Sequence, residues 1–572
     1  MHRVQTYRAD IDGLRAFAVL AVMLGHAGFA GFAGGFIGVD VFFTISGFVV
    51  ANSILRDLDA GRFSLTAFYA RRTRRLGPAL YLVLAATFLF SLLFRFPDDT
   101  FRLAKNMLAV ATFTSNIYLS KQTGYFDTAS LDQPLLHTWS LSVEEQFYLG
   151  LPLLLLACRG RSRAVTIGLL AAVAALSLGF ALASSSTQGN TAYYLAHNRA
   201  FEFLIGVLLA TWETKRHAGK SAIFDALYAG SAMVLIYGIT TFSRASSFPG
   251  IGALLPCVST AVAIYSARRS RFLPRFLINP GLAAFGRISY PAYLWHWPVL
   301  FAFRRFGLSD PKHDVLAIIL TCLLAALTYL MVERKTQRAP LIAQRALITY
   351  LAAPLLCIGT LAGIGKLTDG FLFAYPAAIQ QNIRWSGTAL FDMPRADVCW
   401  SKVSVSDEVA CTVGDRHASS RAILWGDSHA YHLIHFFDRL GIDHGIAIHD
   451  VGFTLCPPIE KMSDKPGDPA FTQSHAACVR HNREVMQHIL ARDDIKTVFL
   501  SAAWQNYQNL ASAQDAKPNL HGFLPDQFER ELDATIGQLL AAGKHVLMLD
   551  DVPMIPDQLV NCAFHNGLFF PV

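Results

Sequence analysis

The stretch DIDGLRAFAVLAVMLGHAG, residues 10–28, decides how the rest of the chain is read. It opens with acidic residues and then runs apolar at 13–30, about the 17 to 25 residues that cross a bilayer as helix. Yet it carries Arg15 and His26 within that run. Further stretches of spanning length lie near residues 36–54, 76–94, 103–119, 141–157, 164–183, 195–212, 222–242, 250–267, 282–303, 314–332 and 346–366. The one at 103–119 holds Lys105, Asn106, Thr112, Thr114, Ser115 and Asn116, and reads as a re-entrant or interfacial helix. About eleven crossings remain, which predicts a polytopic α-helical membrane domain. A cleaved signal peptide over residues 1–34 is the rival reading. Arg15 interrupts the run and many spans follow, which suits an anchor.

Composition agrees. Of 572 residues, 53% are hydrophobic and 16% charged, against roughly 25% charged in soluble domains. The mean hydropathy of +0.36 averages an apolar part ending near residue 366 with a remainder large enough to form its own core. The net charge of +8 does not point to nucleic acid, because Lys and Arg cluster in short loops between apolar runs, the pattern of membrane topology. Arg3 and Arg8, Arg56 to Arg75, Arg159 to Arg163, Lys215 to Lys220, Arg268 to Arg275 and Arg334 to Arg345 all fall on one side. The positive-inside rule makes that side, and the N-terminus, cytoplasmic. An odd number of crossings then exports the C-terminal part to the periplasm or beyond.

The exported part changes rhythm. RAILWGDS (421–428), HGIAIHD (444–450), TVFLSAAW (497–504) and HVLMLD (545–550) read as strands, separated by helix-like text at 475–492 and 526–542. Alternation of strand and helix predicts a parallel sheet covered on both faces. Residues 370–420 are irregular and read as a linker or extension. Five of the nine cysteines lie in this half. In an oxidising compartment the economical pairings are Cys399–Cys411 and Cys456–Cys478. Cys562 is left over near the end, which predicts that the natural chain continues past Val572.

Ionisable residues inside a bilayer need a functional reason or a partner. Arg15 and His26 are eleven residues apart, about 20° beyond three full helical turns and roughly 16 Å of rise, so they share one face with the arginine at the cytoplasmic end. Arg15 snorkelling and His26 satisfied by a neighbouring helix is the bland alternative. Arg72 and Arg75, at i and i+3, can present two planar donors to phosphate oxygens, although such clusters also mark span ends. His137 and Glu144 sit seven residues apart with Glu145 adjoining, an imidazole and carboxylates that could act as base and orienter or cap a helix. His296, between two tryptophans, reads as a packing or pocket residue. No histidine has cysteine or carboxylate partners at ligand spacing, so no metal is expected.

In the soluble half, ILWGDSHAYHL places Ser428 between a strand and a helix start. That position exposes a hydroxyl beside helix N–H groups that can stabilise an oxyanion. Asp427 and Ser428 also suit helix capping.

Five ordered blocks, DIDGLRAFAVLAVMLGHAG, GGFIGVDVFFTISGFVV (34–50), FYARRTRRLGPA (68–79), LLHTWSLSVEEQFYL (135–149) and ISYPAYLWHWPV (288–299), resemble the acyltransferase-3 family of bacterial membrane O-acyltransferases, especially the O-antigen acetylase type. The C-terminal part resembles the SGNH-hydrolase-like domain fused to such proteins, a flavodoxin-like α/β fold. The resemblance implies an acyltransferase membrane domain over 1–340, an additional span at 341–369, a linker or extension at 370–420, and an SGNH-like periplasmic domain at 421–572 with an incomplete C-terminus. It implies a multi-pass protein of the bacterial inner membrane that moves an acyl group, usually acetyl, from cytoplasmic acetyl-CoA to a hydroxyl of a cell-surface carbohydrate such as lipopolysaccharide O-antigen. Acyl-CoA would be a substrate, with no permanently bound cofactor. Arg15 and His26 match the family's Arg-ten-residues-His motif, and Arg72 and Arg75 its Arg-x-x-Arg motif. Arg72 and Arg75 would meet donor phosphates, while Arg15 and His26 would lie on the acyl-transfer path. Glu144 and Glu145 match the acidic block. Ser428 matches the SGNH nucleophile, Gly452 is the nearest candidate for the oxyanion glycine, and Asn506 substitutes for the third block's asparagine beside Trp504. The Asp-x-x-His block that supplies the base is absent, and His565 does not fill it. A transporter of an acyl or lipid-linked substrate, and an exported carbohydrate esterase, are the alternatives.

Overall fold

The structure is a computed structural model that describes residues 7–122, 131–187, 189–213, 220–243, 248–271, 279–338, 342–375, 380, 399, 405, 410–461, 472–507 and 525–550. The chain divides into two compact units, one running to Pro376 and the other from Ala377 to Val560.

The first unit is helical among the described residues. Its elements are α1 (Ala9–His26), α2 (Gly38–Asp59), α3 (Leu65–Phe94), α4 (Pro97–Ala111), α5 (Ser115–Ser120), α6 (Thr138–Ala157), α7 (Arg163–Thr187), α8 (Ala200–Trp212), α9 (Ala222–Thr241), α10 (Ile251–Ala267), α11 (Pro280–Arg287) and α12 (Ser289–Arg305). Two long helices follow, α13 (Pro311–Arg338) and α14 (Ala343–Leu367). Helix starts carry recognisable signals. The Ser64 hydroxyl accepts the Ala67 N–H at α3, and Asp310 accepts the N–H groups of Lys312 and His313 ahead of α13, where Pro311 has no N–H to lose.

Six helices are long and apolar enough to cross a membrane among the described residues. The other five expected crossings, at 13–30, 141–157, 195–212, 250–267 and 282–303, fall on α1, α6, α8, α10 and α12, so the expected total of eleven is not confirmed. The physical reason is visible in the sequence: α8, α10 and α12 have fewer than eighteen residues, and α1 carries Asp10, Asp12 and Arg15. The stretch at 103–119 is no single helix. It breaks between α4 and α5, where Phe113 takes a positive φ of 58°.

The interior depends on close backbone approach between α2 and α8. A Cβ at Gly47 would meet the Phe203 carbonyl oxygen at 2.0 Å, and one at Gly206 would meet the Thr44 oxygen at 2.1 Å. Small residues allow this packing where no hydrophobic drive separates helix from lipid. Beside it, fully buried Arg199 bridges Asp40 of α2 and Glu202 of α8, each 2.7 Å from Nη1. The guanidinium also lies over Tyr193, 4.1 Å from the ring centroid. A buried charge needs such pairing to be tolerated.

In the second unit, β1 (Thr412–Gly414), β2 (Ser420–Gly426), β3 (Ile446–Asp450), β4 (Ile495–Ser501) and β5 (His545–Met548) form one sheet in the order β1-β3-β2-β4-β5. Four strands run parallel, with α15 (Ser428–His432), α16 (Ile434–His444), α17 (Thr472–Leu490), α18 (Trp504–Tyr507) and α19 (Pro525–Ala541) between them. The sheet departs from the expected all-parallel form at one edge, since β1 pairs antiparallel to β3. Three residues are too few to show a strand pattern in sequence. The parallel strands taken alone have the 2-1-3-4 order of the flavodoxin-like doubly wound fold, whose ligands bind at the carboxyl ends where strand order reverses. Both expected disulfides, Cys399–Cys411 and Cys456–Cys478, are present.

Candidate active site

The first arginines of α3 face a wide cavity of about 960 Å³ lined by Arg8, Arg15, Arg56, Arg71, Arg72, Arg75, Arg268 and Arg287, with Asp12, Glu213 and Glu333 as its acids. Eight guanidinium-bearing residues against three carboxylates make it a place for a polyanion. Arg15, Arg72, Arg75, Val49, Val50, Ser289 and Tyr290 also line a narrower cavity of about 100 Å³, which reaches Phe43, Ser140, Glu144, Tyr148 and Tyr293. The two cavities therefore share a constricted arginine-lined wall. Arg15 pairs locally with Asp12 at 3.1 Å.

Glu144 and Glu145 gather around Arg72. The Arg72 Nε lies 3.1 Å from Glu145 Oε1, and Nη2 is 3.6 Å from Glu144 Oε1. Ser46 donates to Glu144 at 2.6 Å; the Tyr148 hydroxyl also donates to Glu144, and Arg72 stacks over the Tyr148 ring. Arg75 makes no ion pair within 4 Å among the described residues.

His137 does not join Glu144 as base and orienter. Its ring lies 5.3 Å from that of His296 and 5.6 Å from that of Tyr293. His137 directly precedes α6 and its own backbone is helical, φ -58° and ψ -17°, so its pairing is decided by tertiary packing against α12, where Tyr293 and His296 lie. Neither of its ring nitrogens meets hydrogen-bond geometry with a partner among the described residues, although the Leu294 backbone is within reach. His296 is more than a packing residue: its Nε2 is 3.1 Å from His26 Nδ1. Tyr293 ties the cluster to α6, exchanging a hydrogen bond with Ser140 at 2.7 Å and donating to the His137 carbonyl at 3.1 Å. Arg15 and His26 thus share α1 but stand in different places, the arginine on the wall common to both cavities and the half-buried histidine in the imidazole cluster. Sequence reasoning missed Tyr293 and the Asp40–Arg199–Glu202 group, whose members lie far apart in the chain. Among the described residues no metal-binding group of His, Cys, Asp or Glu forms.

In the second unit, β2 delivers Ser428 to the start of α15 at the carboxyl end of the sheet. Ser428 is half-buried and its hydroxyl makes no hydrogen bond among the described residues. Asp427 carries the local architecture. It accepts the N–H of His429 at 2.8 Å, the N–H of Ala503 at 3.0 Å and the Tyr507 hydroxyl at 2.6 Å. The loop after β4 is thereby pinned to the turn that bears Ser428.

Gly452 is brought to the same end, because Val451 donates to Leu424 O and Phe453 to Gly426 O. Its own N–H donates to Asp450 Oδ1 at 3.0 Å, so in this arrangement that hydrogen is engaged and does not point at a vacant oxyanion site. Burial pushes the Asp450 carboxyl up to about 7 against the lowering effect of that bond. Trp504 turns its indole N–H to Leu549 O at 2.8 Å. The Asn506 side chain, Cys562, His565 and everything past Asp550 lie outside the described residues.

Residues 8–332 match the family described as an acyltransferase domain, and residues 398–570 match an SGNH domain fused to such domains. A protein of Komagataeibacter xylinus named as a membrane-bound transacylase is 33% identical over 370 residues, 63% of this chain and 92% of its own. A peptidoglycan O-acetyltransferase of Bacillus subtilis is 31% identical over 65% of this chain and 61% of its own, and an O-acetyltransferase of Staphylococcus aureus is 28% identical over 57% of each. The matched stretch is therefore about three fifths of the length of those two O-acetyltransferases. No solved structure matches the chain. The family match covers more than half of the chain and contains every helix that builds the arginine-lined cavities and the imidazole cluster apart from the end of α13: the protein belongs to the membrane acyltransferase-3 family of O-acyltransferases, with an SGNH domain fused behind.

Proposed function

We propose that the protein transfers an acetyl group from cytoplasmic acyl-CoA to a hydroxyl of an extracytoplasmic carbohydrate. The observation that carries this reading is the sharing of Arg15, Arg72 and Arg75 between the wide basic cavity and the narrow one, whose lining includes Tyr293, a ring 5.1 Å from that of His296. A donor with several phosphates and a thin thioester-bearing arm suits that shape: the phosphates meet guanidinium groups and the arm enters the constriction. The basic loops orient the wide cavity toward the cytoplasm by the positive-inside rule, with the SGNH domain in the periplasm of a bacterial inner membrane.

His26 acts as the base at the far end of that path. It takes the proton of an attacking hydroxyl while the oxygen bonds to the acyl carbon. The carbon–sulfur bond then breaks, and the departing thiolate recovers the proton. Ser428 takes part in a second transfer through an acyl-serine, dividing one long delivery into two. Arg72 and Arg75 bind the donor, Glu144 and Glu145 hold Arg72, and the oxyanion candidates are Asn506 and, once its N–H leaves Asp450, Gly452. Acyl-CoA is a substrate here, and no bound cofactor is required. The acceptor is lipopolysaccharide O-antigen or another surface glycan, and the name of the Bacillus subtilis relative adds peptidoglycan to the candidates.

The test uses membranes containing the full-length natural chain, supplied with radiolabelled acetyl-CoA, comparing wild type, Ser428→Ala and His26→Ala. Label should reach extracted glycan in wild type, vanish with His26→Ala and stall before the sugar with Ser428→Ala. Absence of label from both protein and glycan, with folded protein and acceptor present, brings forward the transporter reading.

A further inference from the structure

We propose that His296 is a positioning residue that fixes which nitrogen of His26 is the base, through a directional chain from the Tyr293 carbonyl to His296 to His26. This rests on the reading of His26 given above.

The direction follows from which atoms can donate. The Tyr293 carbonyl oxygen can only accept, and it lies 2.5 Å from His296 Nδ1. That nitrogen therefore carries a hydrogen. A neutral imidazole has one N–H, so His296 Nε2 holds a lone pair. It stands 3.1 Å from His26 Nδ1, which must be the donor. The hydrogen of neutral His26 is thus on Nδ1, and Nε2 is the nitrogen with the lone pair. The rings support an in-plane hydrogen bond, with centroids 5.3 Å apart and planes within 7°. Trp297 stands edge-on to His26 at 4.9 Å, and the His26 carbonyl accepts from Arg304, so ring and backbone are both held. His137, the residue preceding α6, packs its ring against His296. A second proton on His296 would set an imidazolium close to the Arg304 guanidinium, which donates to the His26 carbonyl, and like charges disfavour that state.

The consequence is chemical. A base must present a lone pair to the hydroxyl it deprotonates, and a histidine held in the wrong tautomer loses most of its catalytic value. With Nδ1–H committed to His296, His26 Nε2 accepts the proton from the attacking hydroxyl as the new carbon–oxygen bond forms. The same Nε2–H then returns it to the thiolate as the carbon–sulfur bond breaks. His296 touches neither reactant. It acts by orienting His26 and by accepting the hydrogen bond that strengthens when His26 becomes an imidazolium.

The test combines kinetics with a direct reading of the tautomer, on the full-length chain in lipid. His296→Phe keeps a ring and removes the acceptor, whereas His296→Gln retains an acceptor oxygen. The expected outcome for His296→Phe is a fall in kcat of about 10²–10⁴, the range of a lost or misoriented base, with the KM for acyl-CoA changed by less than about threefold. His296→Gln should recover at least about tenfold of that loss. Nitrogen-15 solid-state spectra of histidine-labelled wild type, with the His26 signals identified by their loss in His26→Gln, should show protonated Nδ1 and bare Nε2. The opposite tautomer overturns the proposal whatever the variants do, including a His296→Phe that fails to fold. If His296→Phe turns over within about threefold of wild type while His26→Ala is dead, His26 remains the base and the positioning role is refuted. An active His26→Ala overturns the base assignment and this proposal together.

Discussion

Arg72 presents its Nε to Glu145 Oε1 at 3.1 Å, while Arg75, one turn further along α3 and lining the same two cavities, has no ion pair within 4 Å among the described residues. The two arginines of one motif therefore do different work. On the donor-binding reading proposed above, Arg75→Ala removes charge-assisted hydrogen bonds to a bound phosphate, each about 1.5–3 kcal/mol. It should raise the KM for acyl-CoA by about tenfold or more and leave the folded protein intact. Arg72→Ala strands half-buried Glu144 and Glu145 without their cation, a loss of roughly 1–3 kcal/mol, and should lower the yield of folded protein. Steady-state kinetics with detergent gel filtration separates them. Equal loss of folded protein for both variants would refute the division.

The Tyr507 hydroxyl and the Ala503 N–H both reach Asp427, next to Ser428. Tyr507→Phe deletes one hydrogen bond to a buried carboxylate and leaves the ring stacked on Phe528. The loss should be about 1.5–3 kcal/mol of local stability. On the two-step transfer proposed above, it should also slow the Ser428-dependent step without affecting release of CoA by the membrane half. Radiolabel partition between protein and glycan measures this. CoA release slowed to the same degree as glycan labelling would contradict it.

Much of this site is legible one element at a time. Helical spacing alone puts Arg15 and His26 on one face and pairs Arg72 with Arg75, and the strand-to-helix text around Ser428 places it at the carboxyl end of β2. What spacing cannot show is which distant elements meet. His26 pairs with His296 across 270 positions, and Arg199 with Asp40 across 159. His137 invites pairing with Glu144 because both lie in one block, yet tertiary packing sends them to different clusters. The membrane half yields six candidate spans among the described residues where eleven are expected, for a related reason. α1 carries Asp10, Asp12 and Arg15 and α6 carries Glu144 and Glu145, charges that lower an average hydropathy. In the soluble half, β1 escapes notice because an edge strand of three residues has no alternation to read.

The α2–α8 contact makes a sharp steric prediction. A methyl group at Gly206 would lie 2.1 Å from the Thr44 oxygen and 2.7 Å from the Phe48 N, both backbone atoms that cannot swing aside. Gly206→Ala should force the helices apart and disturb the adjacent Arg199–Asp40 bond, lowering membrane-inserted, folded protein severely. Gly150→Ala, where a Cβ meets nothing within 4 Å, is the control and should be tolerated. Detergent gel filtration of both variants decides the matter; equal yields would mean that the close approach relaxes cheaply.

Asp450 gives the soluble unit a pH dependence of defined sign. Its carboxyl titrates at about 7 in the fold against 3.8 for the ordinary group. Between those values the folded state holds a proton that the unfolded chain has released, so stability falls as pH rises through the window, by at most about 1.4 kcal/mol per pH unit, and the loss is complete above the folded value. Asp494 has the opposite sign, because Arg492 holds it down to about 2. Its contribution is lost only below the ordinary carboxylate range. Over pH 5 to 8 the Asp450 effect therefore stands apart. Asp450→Asn keeps an acceptor for the Gly452 N–H and cannot ionise. Relative to wild type it should gain thermal stability between pH 5 and pH 8, read by proteolysis of residues 410–550 in the heated full-length chain. Parallel curves for the two proteins across that range would place the burial energy of Asp450 elsewhere.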